Sequence, residues 1–176
     1  MKKLTPFLLM LCASIFLFSC RDNNDNYIDN DTYSSVYDFK NINLNYTSTN
    51  TWHYYYKFAS PIYSSDVILM YRQTGSTNDG SPIWQQIPRT MYITVAGEEE
   101  ELDYDFDFSR YDFTIYAGGT YDLATTPQYI KNQNFRLVII PAGFGGKNAA
   151  NDLSKLSYEE VIKKFNIDDR NIKVIQ

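Results

Sequence analysis

Apolar and polar residues alternate along several stretches of the chain in the manner of β-strands. Leu102, Tyr104 and Phe106 fall on one face of an extended segment, while Asp103 and Asp105 fall on the other. A repeat of two residues fits a strand with one buried and one solvated face, and it does not fit a helix. The same alternation includes Asp107 and Phe108, and it recurs at Trp52, Tyr54, Tyr56 and Phe58 and at Tyr111, Phe113, Ile115 and Ala117.

Two other stretches, 66–72 and 135–140, are apolar at almost every position. Runs of this length predict central strands that are covered on both faces. Further strands are predicted at 36–46, 83–87, 91–95 and 171–175. Turn-prone clusters such as 75–82 and 117–119 separate the runs at the spacing that is typical of a sandwich or barrel.

One short helix is predicted near the end of the chain. Ser157 followed three residues later by Glu160 forms a capping-box pattern, and Leu156 and Val161 are placed to form a hydrophobic staple. The apolar face of this helix consists of Tyr158, Val161, Ile162 and Phe165. Together the patterns predict an all-β fold over 36–176: an antiparallel β-sandwich, immunoglobulin-like or jelly-roll-like, with one short C-terminal helix.

The first twenty residues differ in character from the rest. Lys2 and Lys3 precede an apolar run over 7–18, which is too short to cross about 30 Å of hydrocarbon and predicts a secretion signal. The run ends in Leu17-Phe18-Ser19-Cys20, which resembles the lipobox of bacterial lipoproteins. The resemblance implies that 1–19 is removed and that Cys20 carries the lipid. An ordinary signal peptide is the alternative interpretation.

Residues 20–35 are rich in Asp and Asn and are predicted to be a flexible tether.

Three stretches in the predicted sandwich are similar to sequences of small, uncharacterised lipoproteins of Bacteroidota. They are Asp66-Val67-Ile68-Leu69-Met70-Tyr71-Arg72, Ile83-Trp84-Gln85-Gln86-Ile87-Pro88 and Asn134-Phe135-Arg136-Leu137-Val138-Ile139-Ile140-Pro141-Ala142. The resemblance spans roughly 36–145 and implies a lipoprotein of the cell envelope, placed at the outer membrane and facing the periplasm or the cell surface. It implies no activity and no site residues.

The net charge limits the kinds of partner that the chain can bind, and the cysteine content bears on disulfide bonds. The formal net charge is −5, and removal of Lys2 and Lys3 with the signal would lower it to −7. An acidic chain without a basic stripe argues against nucleic acid and against docking on anionic lipid through the protein surface. The expected attachment to the membrane is therefore the lipid anchor alone. Cys12 and Cys20 are the only cysteines, so no disulfide is expected in the sandwich.

Residues with catalytic chemistry are few. His53 is the single histidine and lies in a predicted strand without a nucleophile beside it, so a structural role is favoured over a general base. One His without a free thiolate does not make an ordinary zinc site. The glycine cluster 143–148 lacks the residues of a phosphate loop. No enzyme activity, cofactor or metal is expected.

The acids from Glu98 to Glu101, with Asp103, Asp105 and Asp107, have two interpretations. They could attract a divalent cation, or they could keep one strand face solvated and prevent aggregation. Solvation is favoured, because ligands spread along an extended strand do not converge on one point.

Aromatic residues leave a binding function open. Sixteen Tyr and two Trp suggest that exposed rings could stack on sugars; the candidates expected to point away from the core are Tyr55, Tyr63, Trp84, Tyr92 and Tyr116. The favoured interpretation is that these rings pack against other side chains of the protein and bind no ligand. The favoured function is a non-catalytic binding or structural accessory at the cell envelope, with a glycan or an envelope protein as candidate partners. A glycan-binding lipoprotein is the alternative. A glycan-processing enzyme with paired acids is the rival. A subunit that recruits a protein through a sheet edge is a third hypothesis, which an exposed and uncharged edge strand would favour.

Overall fold

The structure is a computed structural model that describes residues 34–47, 51–141, 153 and 155–176. The predicted signal segment, Cys20, most of the tether and the glycine cluster at 143–148 lie outside these residues. The strands are β1 (Ser35–Ile42), β2 (Asn45–Tyr46), β3 (Trp52–Lys57), β4 (Val67–Ser76), β5 (Pro82–Ile87), β6 (Arg89–Val95), β7 (Glu98–Phe108), β8 (Asp112–Gly119), β9 (Gln133–Ile140) and β10 (Lys173–Ile175). Two 3-10 turns, Leu123–Thr125 and Pro127–Tyr129, precede β9, and helix α1 (Tyr158–Lys164) precedes β10.

The strands form two five-stranded sheets. Sheet A has the order β10-β1-β9-β4-β5, and sheet B has the order β2-β3-β8-β7-β6. Every pair is antiparallel except β1 with β10, which run parallel. This architecture confirms the predicted β-sandwich with a short helix near the C-terminus.

The main core lies between the two sheets. Phe39 of sheet A is fully buried and meets three rings of sheet B edge-on, those of Tyr54, Tyr56 and Phe113, at centroid distances of 6.4, 4.8 and 5.1 Å. Edge-to-face packing is a favoured arrangement for aromatic pairs. The period-2 prediction for β3 is therefore confirmed, because its alternate aromatics pack against this core.

A second apolar layer covers the outer face of sheet A. Leu69 and Val138, from the central strands β4 and β9, pack in one cluster with Val161 and Phe165 of the helical segment. The nearly continuous apolar runs are thus strands covered on both faces, as the sequence predicts.

The capping box predicted for α1 is present: the Glu160 backbone N–H donates to Ser157 Oγ at 3.2 Å. The Ser157 backbone N–H donates in return to Glu160 Oε2 at 2.7 Å.

The strand predicted over 36–46 is corrected by the structure. β1 ends at Ile42 and belongs to sheet A, whereas β2 belongs to sheet B. Between them the chain crosses the sandwich, with Leu44 fully buried. Asn41 has a φ of 58°, a left-handed conformation that Asn adopts more readily than most residues. The buried residues Phe39 and Ile42 lie three positions apart, so the period of two is broken at Lys40 and Asn41, where the pairing of β1 with β9 also shifts register. The predicted single strand passed over this shift in phase.

Candidate functional site

The five aromatic residues predicted to bind ligand lie in three separate places. Tyr55, Tyr92 and Tyr116 lie on the outer face of sheet B, on β3, β6 and β8. Trp84 lies on β5, on the outer face of sheet A, and Tyr63 lies in the connection between β3 and β4. The structure therefore does not bring the five rings together into one platform.

Two of the three aromatic candidates on sheet B are hydrogen-bonded to acids of the same face. Tyr55 Oη donates to Asp112 Oδ2 at 3.1 Å, and Tyr116 Oη donates to Asp107 Oδ2 at 2.8 Å. Thr114 lies opposite Tyr55 on the adjacent strand, so Tyr55 and Tyr116 are diagonal neighbours. Tyr92 lies two strands away from Tyr116, on the edge of the sheet.

Trp84 lines a groove between β5 and helix α1. The groove has a volume of about 480 Å³ and is referred to below as the Trp84 groove. It is lined by Pro82, Trp84, Arg136, Tyr158, Glu159, Ile162, Lys163 and Asp169. This lining combines two rings, aliphatic surface and charged groups of both signs, which is the mixture found in small-molecule binding sites.

Arg136 holds the floor of the Trp84 groove together. Its Nε donates to Asp38 Oδ1 at 2.6 Å and its Nη2 donates to Asp38 Oδ2 at 3.0 Å, a bidentate pair that is almost fully buried. Its Nη1 donates to Tyr158 Oη at 2.7 Å, and this hydroxyl donates to Asp169 Oδ2 at 2.9 Å. The guanidinium carbon lies 4.3 Å from the centre of the Trp84 ring. One cation thus orients two rings and two carboxylates.

Arg136 and Tyr158 keep their protonation states at neutral pH. Burial acts to lower the pKa of Arg136, but the hydrogen bonds and charge of Asp38 and the contact with Tyr158 outweigh it and raise that pKa. Burial raises the pKa of the Tyr158 hydroxyl, and Asp169 adds to this shift. Arg136 therefore remains a cation and Tyr158 a neutral hydroxyl, so both act as hydrogen-bonding groups that orient their neighbours.

The register of sheet A explains how these groups meet. Asp38 of β1 and Arg136 of β9 are directly opposite each other across the strand pair. Cross-strand neighbours on one face are close enough to form an ion pair. Helix α1 then packs over this face, and its first residue, Tyr158, covers the guanidinium with its ring centre 5.0 Å away.

Sequence reasoning missed Arg136, Asp38 and Asp169 as parts of a site. One signal was available: Arg136 interrupts an apolar run that was predicted to be covered on both faces, and a buried cation there requires a partner. The partner, Asp38, lies 98 residues earlier in the chain. Arg72 interrupts the other apolar run and is also buried, with Nε and Nη2 donating to Gln133 Oε1 at 2.9 and 2.6 Å.

The acids of β7 and the single histidine do not form a compact cluster. In the described part of the chain no group of three or more His, Cys, Asp or Glu side chains could hold a metal ion. Glu101, Asp103, Asp105 and Asp107 follow one another at every second position on the outer face of sheet B. His53 lies opposite Tyr116 on the same face, and its buried Nδ1 has no hydrogen-bond partner within the described residues.

A second cavity, of about 230 Å³, lies at one end of the sandwich. Its walls are mostly core side chains, including Tyr37, Tyr56, Phe58 and Ile139, with Lys173 among the lining residues. Among the described residues its lining contains no ion pair, whereas Arg136 of the Trp84 groove is paired with Asp38. We therefore treat the Trp84 groove as the candidate functional site.

Comparisons with known proteins give no match: no family model fits the chain, and no curated protein or solved structure matches it. The resemblance to envelope lipoproteins remains a prediction from the sequence. Among the described residues, no helix has the length and apolar character needed to span a bilayer.

Proposed function

We propose that the protein is an envelope lipoprotein, anchored at the outer membrane through Cys20, whose sandwich domain is a non-catalytic module that binds glycans in the Trp84 groove. The observation that carries the binding function is the partly exposed ring of Trp84 in one groove with Asp169, a partly exposed carboxylate that the buried pair of Arg136 and Tyr158 holds in place. The lipobox-like motif ending in Cys20 supports the anchor.

The chemistry of the groove favours an uncharged polyhydroxyl ligand. The floor cation Arg136 is already neutralised by Asp38, so it offers little attraction to a free anion. Trp84 is partly exposed and presents apolar ring surface for the C–H face of a sugar. Asp169 and Lys163 supply an acceptor and donors for hydroxyl groups along the lining of the same groove.

Substitution of Trp84 tests the binding function. The full chain, purified in detergent, should bind members of an oligosaccharide array, and Trp84→Ala should weaken that binding about tenfold or more, as expected for an aromatic anchor. Lys163→Glu changes an exposed residue of the groove and should also weaken binding, without removing a packed ring.

The matched control is Tyr92→Ala, which removes a ring that is 65% exposed on the other sheet. It should bind the array as the unaltered protein does. Far-ultraviolet circular dichroism and thermal unfolding verify that each variant is folded. Absence of glycan binding by the unaltered protein, or equal losses in the Trp84 and Tyr92 variants, would contradict a glycan site in the groove.

A glycan-processing enzyme is the second candidate, and one observation favours it. Two carboxylates, Glu159 and Asp169, line the same groove as the two rings, and glycoside hydrolysis commonly uses a pair of carboxyl groups. An enzyme would release reducing sugar from a bound oligosaccharide, and Glu159→Gln or Asp169→Asn would stop this release while binding persists. A binding module releases no sugar in the same assay.

Substitution of Cys20 tests the anchor. Cys20→Ala removes the only thiol at which the lipobox-like motif would be acylated, so the variant should leave the membrane fraction and partition into the aqueous phase of a detergent separation. Cys12→Ala is the matched control and should stay with the membrane. Mass spectrometry that finds a mature N-terminus without lipid in the unaltered protein would overturn the proposal.

A further inference from the structure

The four edges of the two sheets differ in how well they are protected against pairing with another strand. β10 and β2 are short, with three and two residues. β5 begins at Pro82, and its pairing with β4 is interrupted by a register shift between Gln73 and Gly75. Short strands, proline and bulges are the usual protections of an edge. Three of the four edges among the described strands therefore carry such a protection.

The fourth edge, β6, has none of these protections. It has seven residues, and all seven pair with β7 without a break in register. Arg89 at its start is its only charged residue, and 90–95 reads Thr-Met-Tyr-Ile-Thr-Val. Within the described residues β6 pairs with β7 alone, so the backbone groups on its other side are available. Over 90–95 this is the exposed, uncharged edge that a strand-adding partner requires.

The side chains around this edge indicate which partner would fit. Asp103, Glu101 and Glu99 of β7 lie opposite Thr90, Tyr92 and Thr94 of β6, on the outer face of sheet B. The two strands are joined by a tight turn in which Ala96 and Gly97 both have positive φ, at 53° and 97°. Such a two-residue turn fixes the hairpin register and therefore the alignment of the acids with the edge.

We propose that β6 is a docking edge for an extended segment of a partner protein in which basic and apolar residues alternate. A strand added to β6 would lie about 4.8 Å from it and about 9.6 Å from β7. Its outward side chains would fall in the rows of Asp103, Glu101 and Glu99, where Lys or Arg can reach the carboxylates. Its inward side chains would extend the row of Met91, Ile93 and Val95, which are partly buried, and should be apolar.

Charge favours this partner over a second copy of the chain. The β6 strand of a second copy would bring Thr90, Tyr92 and Thr94 into the outward rows and would leave the acids of both copies without cations. The negative charge of the chain adds repulsion between copies. A basic strand is instead attracted by the carboxylates, both in direct ion pairs and at longer range.

Binding of synthetic peptides tests the docking edge in the full chain in detergent. The probe is a fluorescein-labelled nine-residue peptide in which lysine alternates with valine, and the comparison peptide replaces each lysine by glutamate. In fluorescence anisotropy the lysine peptide should bind at least tenfold more tightly. A lysine peptide methylated at every backbone nitrogen should not bind, because strand addition depends on main-chain hydrogen bonds.

Protein variants locate the site on β6. Glu99→Gln combined with Glu101→Gln should weaken binding of the lysine peptide severalfold. The matched control, Asp79→Asn with Asp168→Asn, removes two exposed acids elsewhere and should leave binding unchanged. Equal binding of the two unmethylated peptides, or binding of the methylated one, would overturn the proposal. So would sedimentation that shows a dimer of the unaltered chain that Tyr92→Lys dissociates.

Discussion

Replacement of Arg136 by methionine is expected to lower the free energy of unfolding by about 3–5 kcal/mol, the range for breaking a buried ion pair. The substitution keeps much of the side-chain volume but leaves the carboxylate of Asp38, which is only 4% exposed, without its bidentate partner. It also removes the cation that contacts the rings of Trp84 and Tyr158. Denaturation by urea, followed by circular dichroism, measures the loss.

The double variant Asp38→Leu with Arg136→Met separates the ion pair from the packing around it. With both charges removed, no buried charge is left unpaired, and most of the lost stability should return. If the double variant is as unstable as Arg136→Met alone, the cost arises from packing of the Arg136 stem and rings, and the Asp38 carboxylate is not the cause.

Replacement of Phe39 by alanine is expected to lower the free energy of unfolding by about 3–5 kcal/mol. The ring is fully buried and contacts three aromatic rings of the opposite sheet, so its removal leaves a cavity at the junction of the two sheets. Because those neighbours are held by strand pairing, they cannot move inward far enough to fill the space. The midpoint of urea unfolding should fall accordingly.

Phe108→Ala is the matched control. Phe108 is 43% exposed at the end of β7 and stacks on Phe106 alone among the described rings, so its removal should cost less than about 1 kcal/mol. Similar losses in the Phe39 and Phe108 variants would show that the Phe39 cluster does not dominate the core.

The sandwich could be predicted from the sequence because its strands have two sharply different faces. The alternation of Leu102 and Tyr104 with Asp103 and Asp105 has a period of two, and burial in the structure follows it. The unbroken runs of β4 and β9 likewise predicted strands in a covered layer. What the pattern could not show was the crossing between β1 and β2, because a change of sheet alters the partners of a residue without altering its burial. The adjacent polar residues Lys40 and Asn41 marked only a break in the period.

The site could be predicted only in part, since it depends on pairing between distant segments. Trp84 was a candidate because its ring was expected to point away from the core, but Arg136 and Asp38 meet only through the register of β1 and β9. The acids of β7 could be identified from the sequence as a cluster of negative charge. Their alignment with a free edge required the strand order, which places β6 last in its sheet.

The position of β1 has a mechanical consequence for an anchored protein. The strand lies between β9 and β10, paired on both sides, and it is the first described strand after the segment that contains Cys20. The ladder bonds run across the strand direction, so tension along β1 would load them in shear and all together. If the segment before β1 is anchored through Cys20 as proposed, a pull on the domain along β1 would meet a strand that resists extraction better than one that is peeled off bond by bond.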